Sequence, residues 1–166
     1  PSANQYTEPV EWVDPYIDTN RGRFFLFTTG SRPYGVVCSA PMPKNWNNNG
    51  GGYAYFSDEV LGFPQIHAWT LSGLNLMPAL ESVDPTSGEG AWKSKYKHDD
   101  EIVQPGYHRI FLNDSKVWVE QTSTDRVSFY RFRWTENVKA QLLLSLHGLL
   151  GNSRMTNADI KRINDQ

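Results

Sequence analysis

Residues 62–78 read Gly-Phe-Pro-Gln-Ile-His-Ala-Trp-Thr-Leu-Ser-Gly-Leu-Asn-Leu-Met-Pro. Within this apolar run, His67 and Trp69 are the side chains a buried strand has no need of. An imidazole can hydrogen-bond or move a proton near neutral pH. An indole offers a flat apolar ring with one N–H donor, a suitable platform for the apolar face of a pyranose. Leu74, Leu76 and Met77 belong to a core strand, so the stretch reads as a strand that leaves the core and presents side chains to a ligand. For His67 the alternative, a histidine hydrogen-bonded at a strand end, carries equal weight.

Other chemistries find no support. There is no His-x-x-x-His pair, no glycine-rich phosphate cradle and no Gly-x-Ser-x-Gly elbow. Asp14, Asp18, Asp58, Glu59, Asp84, Asp99, Asp100, Asp114 and Asp125 fall in turns. A glycosidase needs two carboxylates facing each other across a sugar, a pairing that sequence spacing on stacked sheets does not reveal. Cys38 is the one cysteine, which excludes an intrachain disulfide or a thiolate metal site; it reads as a small buried hydrophobe. Trp46, in the Pro-, Asn- and Gly-rich loop 40–52, is either a plug over the core or a ligand platform. His147, after a buried strand, reads as structural.

The positioning elements are strands. With 166 residues, 39% hydrophobic and 20% charged, the chain can bury a core as one domain. Its 13% aromatic content suits broad sheets and also sugar binding. A net charge of -2 gives no reason to expect nucleic acid, and no apolar run is long enough to span a bilayer. Residues 10–13, 24–29, 34–39 and 53–56 read as short strands. Residues 92–102, rich in Lys, Asp and His, read as a solvated surface connector. Residues 107–112 and 116–122 form a hairpin around Asn113-Asp114-Ser115. Val117 and Val119 share one face; Trp118, Glu120 and Thr122 share the other. In 126–134, Val127 and Phe129 oppose Tyr130, Phe132 and Trp134. Residues 138–146 are apolar enough for burial on both faces. Short turns between these last four runs predict consecutive antiparallel pairing. Ile160 and Ile163 allow at most a short C-terminal helix. The fold class is all-β, with two or more stacked sheets.

The ordered motifs carry a resemblance. Val13-Asp14-Pro15-Tyr16-Ile17, Gly30 with Pro33-Tyr34-Gly35-Val36-Val37 and Pro41, and Gly52-Tyr53-Ala54-Tyr55 with Asp58 and Leu61-Gly62-Phe63 resemble family 92 glycoside hydrolases, the calcium-dependent exo-α-mannosidases. His67 to Leu74 with Met77-Pro78, Gln104-Pro105-Gly106-Tyr107, residues 122–127 and residues 143–147 continue the match in order. It implies an antiparallel β-sandwich of the galactose-mutarotase-like supersandwich type. Residues 1–166 would be the N-terminal domain of a larger enzyme whose C-terminal (α/α)6 domain is absent. General acid, general base and most calcium ligands would belong to that helical domain, so no catalytic or metal residue is expected here and the fragment should be inactive. His67 and Trp69, with Ser72 and Gly73 lining the approach, would form one wall of a mannose pocket. The implied partners are mannose-containing glycans and the helical domain, in a secreted or periplasmic protein. Local departures are Pro64-Gln65 where many members have Ser-His, Met42 in place of an Asp, and Arg23-Phe24-Phe25 in place of a Gly- and His-containing loop. The alternatives are a stand-alone carbohydrate-binding or interaction module without hydrolysis, and a structural accessory domain.

Overall fold

The computed structural model describes residues 8–20, 29–44, 53–67, 72–146 and 157–164. Two antiparallel sheets face each other. The first contains β1 (Met42–Pro43), β2 (Glu59–His67), β3 (Ser72–Leu80), β4 (Ser94–Lys95) and β9 (Ala140–Ser145). The second runs β5 (Glu101–Gln104), β6 (Tyr107–Leu112), β7 (Val117–Ser123), β8 (Ser128–Trp134) in sequential order. One turn of α-helix, α1 (Glu89–Trp92), lies between β3 and β4 in sequence.

Strands β6, β7 and β8 of the second sheet follow directly from alternation, whereas β5 begins within the run that reads as a solvated connector. Ile110, Leu112, Val117 and Val119 are inward and at most 1% exposed, while Phe111, Trp118, Glu120 and Thr122 occupy the opposite face. Tyr130, Phe132 and Trp134 of β8 pack against the core and Phe129 points out, as the alternation requires. From the first sheet, Val60, Phe63, Met77, Ala79 and Leu143 close the same core, joined by Trp92 and Tyr96. Full burial of side chains such as Phe63, Met77, Ile110 and Leu112 contributes roughly 1.5–3 kcal/mol each against exposure.

β9 departs from consecutive pairing. Instead of lying beside β8 it crosses to the first sheet and pairs with β3, Met77 opposite Leu143 and Leu80 opposite Ala140. Its outer face is not buried either. Leu142 and Leu144 are 49% and 45% exposed, beside exposed Leu74.

The N-terminal expectations fail for local reasons. Residues 10–13 do not form a strand, because Pro9 opens a 3-10 turn, Pro9–Trp12, stabilised by reciprocal capping between Glu8 and Glu11. Residues 34–39 form a loop. Tyr34 has φ 63, Gly35 N–H bonds back to the Arg32 carbonyl at 3.0 Å, Val36 N–H donates to the Asp125 carbonyl in the β7–β8 connection at 2.7 Å, and Ser39 N–H donates to Ser31 Oγ at 2.7 Å. Cys38 is consequently only half-buried. Residues 53–56 form a turn, with Ser57 N–H bonded to the Ala54 carbonyl. Residues 157–164 are exposed and not helical, and Ile160 and Ile163 find no face to pack on. The expected strand 24–29 and loop residue Trp46 lie outside the described residues, apart from Thr29, as does His147.

Gly62 marks where β2 changes partners. Residues before it pair with β1 and β4; from Phe63 onward the strand pairs with β3. Gly62 has φ 151, and a Cβ there would lie 2.5 Å from Asn75 Cγ and closer still to its amide atoms. Asn75 is wholly buried and its Nδ2 donates to the Leu61 carbonyl at 3.2 Å. Gly62→Ala is therefore expected to lower stability by about 3 kcal/mol in urea unfolding. Combined with Asn75→Ala, the loss should fall short of the sum of the single changes, because the clash is shared. Strict additivity would show that the two residues do not meet.

Candidate functional site

The β2–β3 hairpin gathers most of the residues singled out by sequence. His67 ends β2, Ser72 begins β3, and the two are register partners; Gly73 pairs with Ile66. Gly73 is buried. Trp69 falls in residues 68–71, outside the described residues. Leu74, next to Gly73, holds φ 48, a left-handed conformation costing an L-residue roughly 1–2 kcal/mol. The hairpin thus places three of the expected contact residues at one end of the sheet, beside a strained residue.

A second constellation lies in the segment that reads as a solvated connector. Glu101 opens β5 with its carboxylate fully enclosed. Its Oε1 meets His108 Nε2 at 2.6 Å; its Oε2 meets His98 Nδ1 at 2.7 Å and accepts the Tyr53 hydroxyl at 2.7 Å. His108 Nδ1 reaches the Thr29 hydroxyl, and His98 Nε2 reaches the Tyr55 carbonyl at 2.7 Å. The Tyr55 ring stacks on His98 at 3.9 Å, and Tyr16 closes the cluster edge-on to Tyr55.

Burial pushes the Glu101 carboxyl up, but the hydrogen bond and charge of His108, followed by the hydrogen bonds of His98 and Tyr53, outweigh it and hold the group below the usual carboxylate range. Burial, then the Glu101 charge, drives the Tyr53 hydroxyl far up. Every ring nitrogen of both histidines is engaged, which leaves none to attack or protonate a ligand. Among the described residues no group of three or more His, Cys, Asp or Glu is arranged to hold a metal ion. The cluster is a structural pin joining Thr29, the 53–56 turn, β5 and β6. Spacing gave no signal for it, since Thr29 and His108, which meet in it, stand 79 positions apart.

The outer face of the second sheet carries a third arrangement. Arg109, Glu120 and Arg131 are cross-strand neighbours, as are Phe111, Trp118 and Arg133. Arg131 grips Glu120 in a two-pronged pair, Nη2 to Oε1 at 2.7 Å and Nε to Oε2, and Tyr107 donates to Oε1 at 2.8 Å. The Arg131 hydrogen bonds hold Glu120 at a pKa of about 2, against a smaller opposing effect of burial. The Arg109 guanidinium lies 3.9 Å over the Trp118 ring. The alternation of β7 shows this face in sequence, but its cross-strand partners are set only by register.

The lowered Glu101 pKa fixes a pH dependence. The unfolded chain binds the proton more readily, so the pairing stabilises fully above the ordinary value near 4.5 and is lost as pH falls through the lower folded value. Glu120, and Glu59 bonded to Lys93 and Lys44, add to the same acid limb. Glu101→Gln is expected to cost about 3 kcal/mol at neutral pH and to flatten that limb in urea titrations across acidic pH. An unaltered acid slope in the variant would remove Glu101 from this role.

Comparison with known proteins agrees with this architecture. Residues 12–166 match the model of the glycosyl hydrolase family 92 N-terminal domain. No curated protein matches the chain. Among solved structures, the family GH92 α-mannosidase BT3965 from Bacteroides thetaiotaomicron superposes with TM-score 0.71 at 23% identity, over 84% of this chain and 20% of that one. The same protein has been solved with mannoimidazole. The GH92 glycosyl hydrolase ccman5 aligns with TM-score 0.65 at 19% identity, over 83% and 20%. The inverting mannosidase BT2199 from Bacteroides thetaiotaomicron VPI-5482 aligns with TM-score 0.63 at 16% identity, over 84% and 20%. The chain thus spans about a fifth of each of these proteins, the fold is shared, and its match over residues 12–166 makes it a member of glycosyl hydrolase family 92, corresponding to the family's N-terminal domain.

Proposed function

We propose that this chain is the N-terminal β-sandwich of an α-mannoside-cleaving glycoside hydrolase and supplies one wall of its sugar pocket. The observation that carries the reading is the register of the β2–β3 hairpin, which sets His67 opposite Ser72 and Gly73 one pair further in. In this reading Trp69, between them in sequence, stacks on the sugar ring, His67 and Ser72 hydrogen-bond its hydroxyls, and buried Gly73 gives the chain a close approach. The family membership and the mannoimidazole complex of a similar protein support a mannose-type ligand.

The reacting carboxylates belong, in the same proposal, to a helical domain beyond this chain, which covers only a fifth of each similar structure. The outer face of β3 and β9 supports a docking role. Leu74, Leu142 and Leu144 leave 40–49% of their surface exposed on neighbouring strands, an apolar patch of the kind an interface covers. In the same proposal calcium is held mostly by that other domain. Glycan substrates place such an enzyme outside the cell or in a periplasm, and secretion is part of the proposal.

Two measurements test this. The purified chain should not turn over an aryl α-mannoside, with or without calcium; measurable hydrolysis would relocate the chemistry to residues 1–166. In a parent enzyme containing this domain, Trp69→Ala should weaken kcat/KM by the equivalent of roughly 1–3 kcal/mol, the size of a lost stacking contact. Unchanged kinetics would return Trp69 to a packing role.

A further inference from the structure

We propose that the outer face of the second sheet holds a separate binding site for a single neutral hexopyranose, independent of the β2–β3 hairpin. Tyr107, Thr122 and Phe129 are direct cross-strand neighbours on β6, β7 and β8. Adjacent strands lie about 4.8 Å apart, so the two aromatic side chains flank Thr122 at roughly twice that separation. Together with Glu120 and Arg131 they line a trough of about 240 Å³. That volume falls below the roughly 300–1,000 Å³ of pockets for larger ligands and suits one sugar ring.

The walls match the two chemistries of a pyranose. Its C–H face needs an aromatic surface, and Phe129, 55% exposed on the sheet, provides one. Its rim of hydroxyls needs fixed donors and acceptors. Glu120 is held as a carboxylate by Arg131 and Tyr107, with its side chain only 12% exposed, so its geometry is set before any ligand arrives. The Arg131 side chain is 73% exposed, and its Nη1 makes no hydrogen bond to the described residues, leaving donors for a ligand. Within the trough the Glu120 and Arg131 charges are already paired with each other, and the neighbouring Arg109 guanidinium lies over the Trp118 ring, away from the trough lining. A neutral polyol therefore fits better than an anion, whose charge would have to compete with Glu120.

The test is a titration of the isotope-labelled chain with methyl α-D-mannopyranoside, methyl α-D-glucopyranoside and D-glucuronate, followed by amide NMR shifts. The expected result is saturable millimolar binding of a neutral glycoside, with shifts confined to residues 107, 120–122 and 129–131. Phe129→Ala and Arg131→Ala, both at exposed positions, should each weaken it about tenfold while thermal unfolding shows the fold retained. Shifts at residues 66–73 with a silent trough would overturn this site and leave the pocket-wall proposal standing. Binding of glucuronate alone, unaltered binding in both variants, or no shifts at all would also overturn it.

Discussion

A carboxylate removed from water must be surrounded by donors, and the Glu101 side chain is enclosed to the last oxygen. Desolvation of such a group costs several kcal/mol, which only close, well-aligned partners offset. His108 and His98 on either side and the Tyr53 hydroxyl meet that requirement at 2.6–2.7 Å. The consequence is topological. Thr29, the turn at 53–56, the 3-10 turn at 98–100 and strands β5 and β6 must all be in place together, or a buried charge is left without partners. Segments that lack strand pairing of their own are thereby fastened to the second sheet.

With that anchor in place, the two sheets present unlike outer faces. β3 and β9 show leucines, a surface that interacts favourably only with another apolar surface. β6, β7 and β8 show arginines and aromatic rings already paired with each other, a surface that stays compatible with water while remaining able to take a polar ligand. The first face is suited to permanent contact with another body of protein and the second to reversible occupancy.

Legibility followed the range of the interactions. The alternation in residues 107–134 gave the strands, the hairpin turn and the inward and outward sets, because a period of two is a local property. The outward direction of Phe129 and of Glu120 was readable there as well. The pairing of β9 with β3 was not, since short connections favour neighbours in sequence and only the shared core between Met77 and Leu143 shows the crossover. Residues 10–13 and 34–39 looked like strands from their β-branched and aromatic content, yet Pro9 and the φ of Tyr34 made turns of them. The charged run 92–102 hid Glu101, because nothing in its composition separates an enclosed carboxylate from a solvated one.

The amino-acid sequence by itself determined an all-β chain, the strands β6, β7 and β8, and the family, through motifs kept in order. The tertiary structure alone decided that β2 and β3 pair antiparallel with His67 and Ser72 in register, and that Gly62 makes room for Asn75. It also decided that Glu59 and Glu101 are the buried acids among the described residues and which side chains meet across three strands to make the trough. The division has one physical cause. Periodicity and turn chemistry act over a few residues, whereas desolvation and cross-strand register depend on groups tens of positions apart that only the folded chain brings into contact.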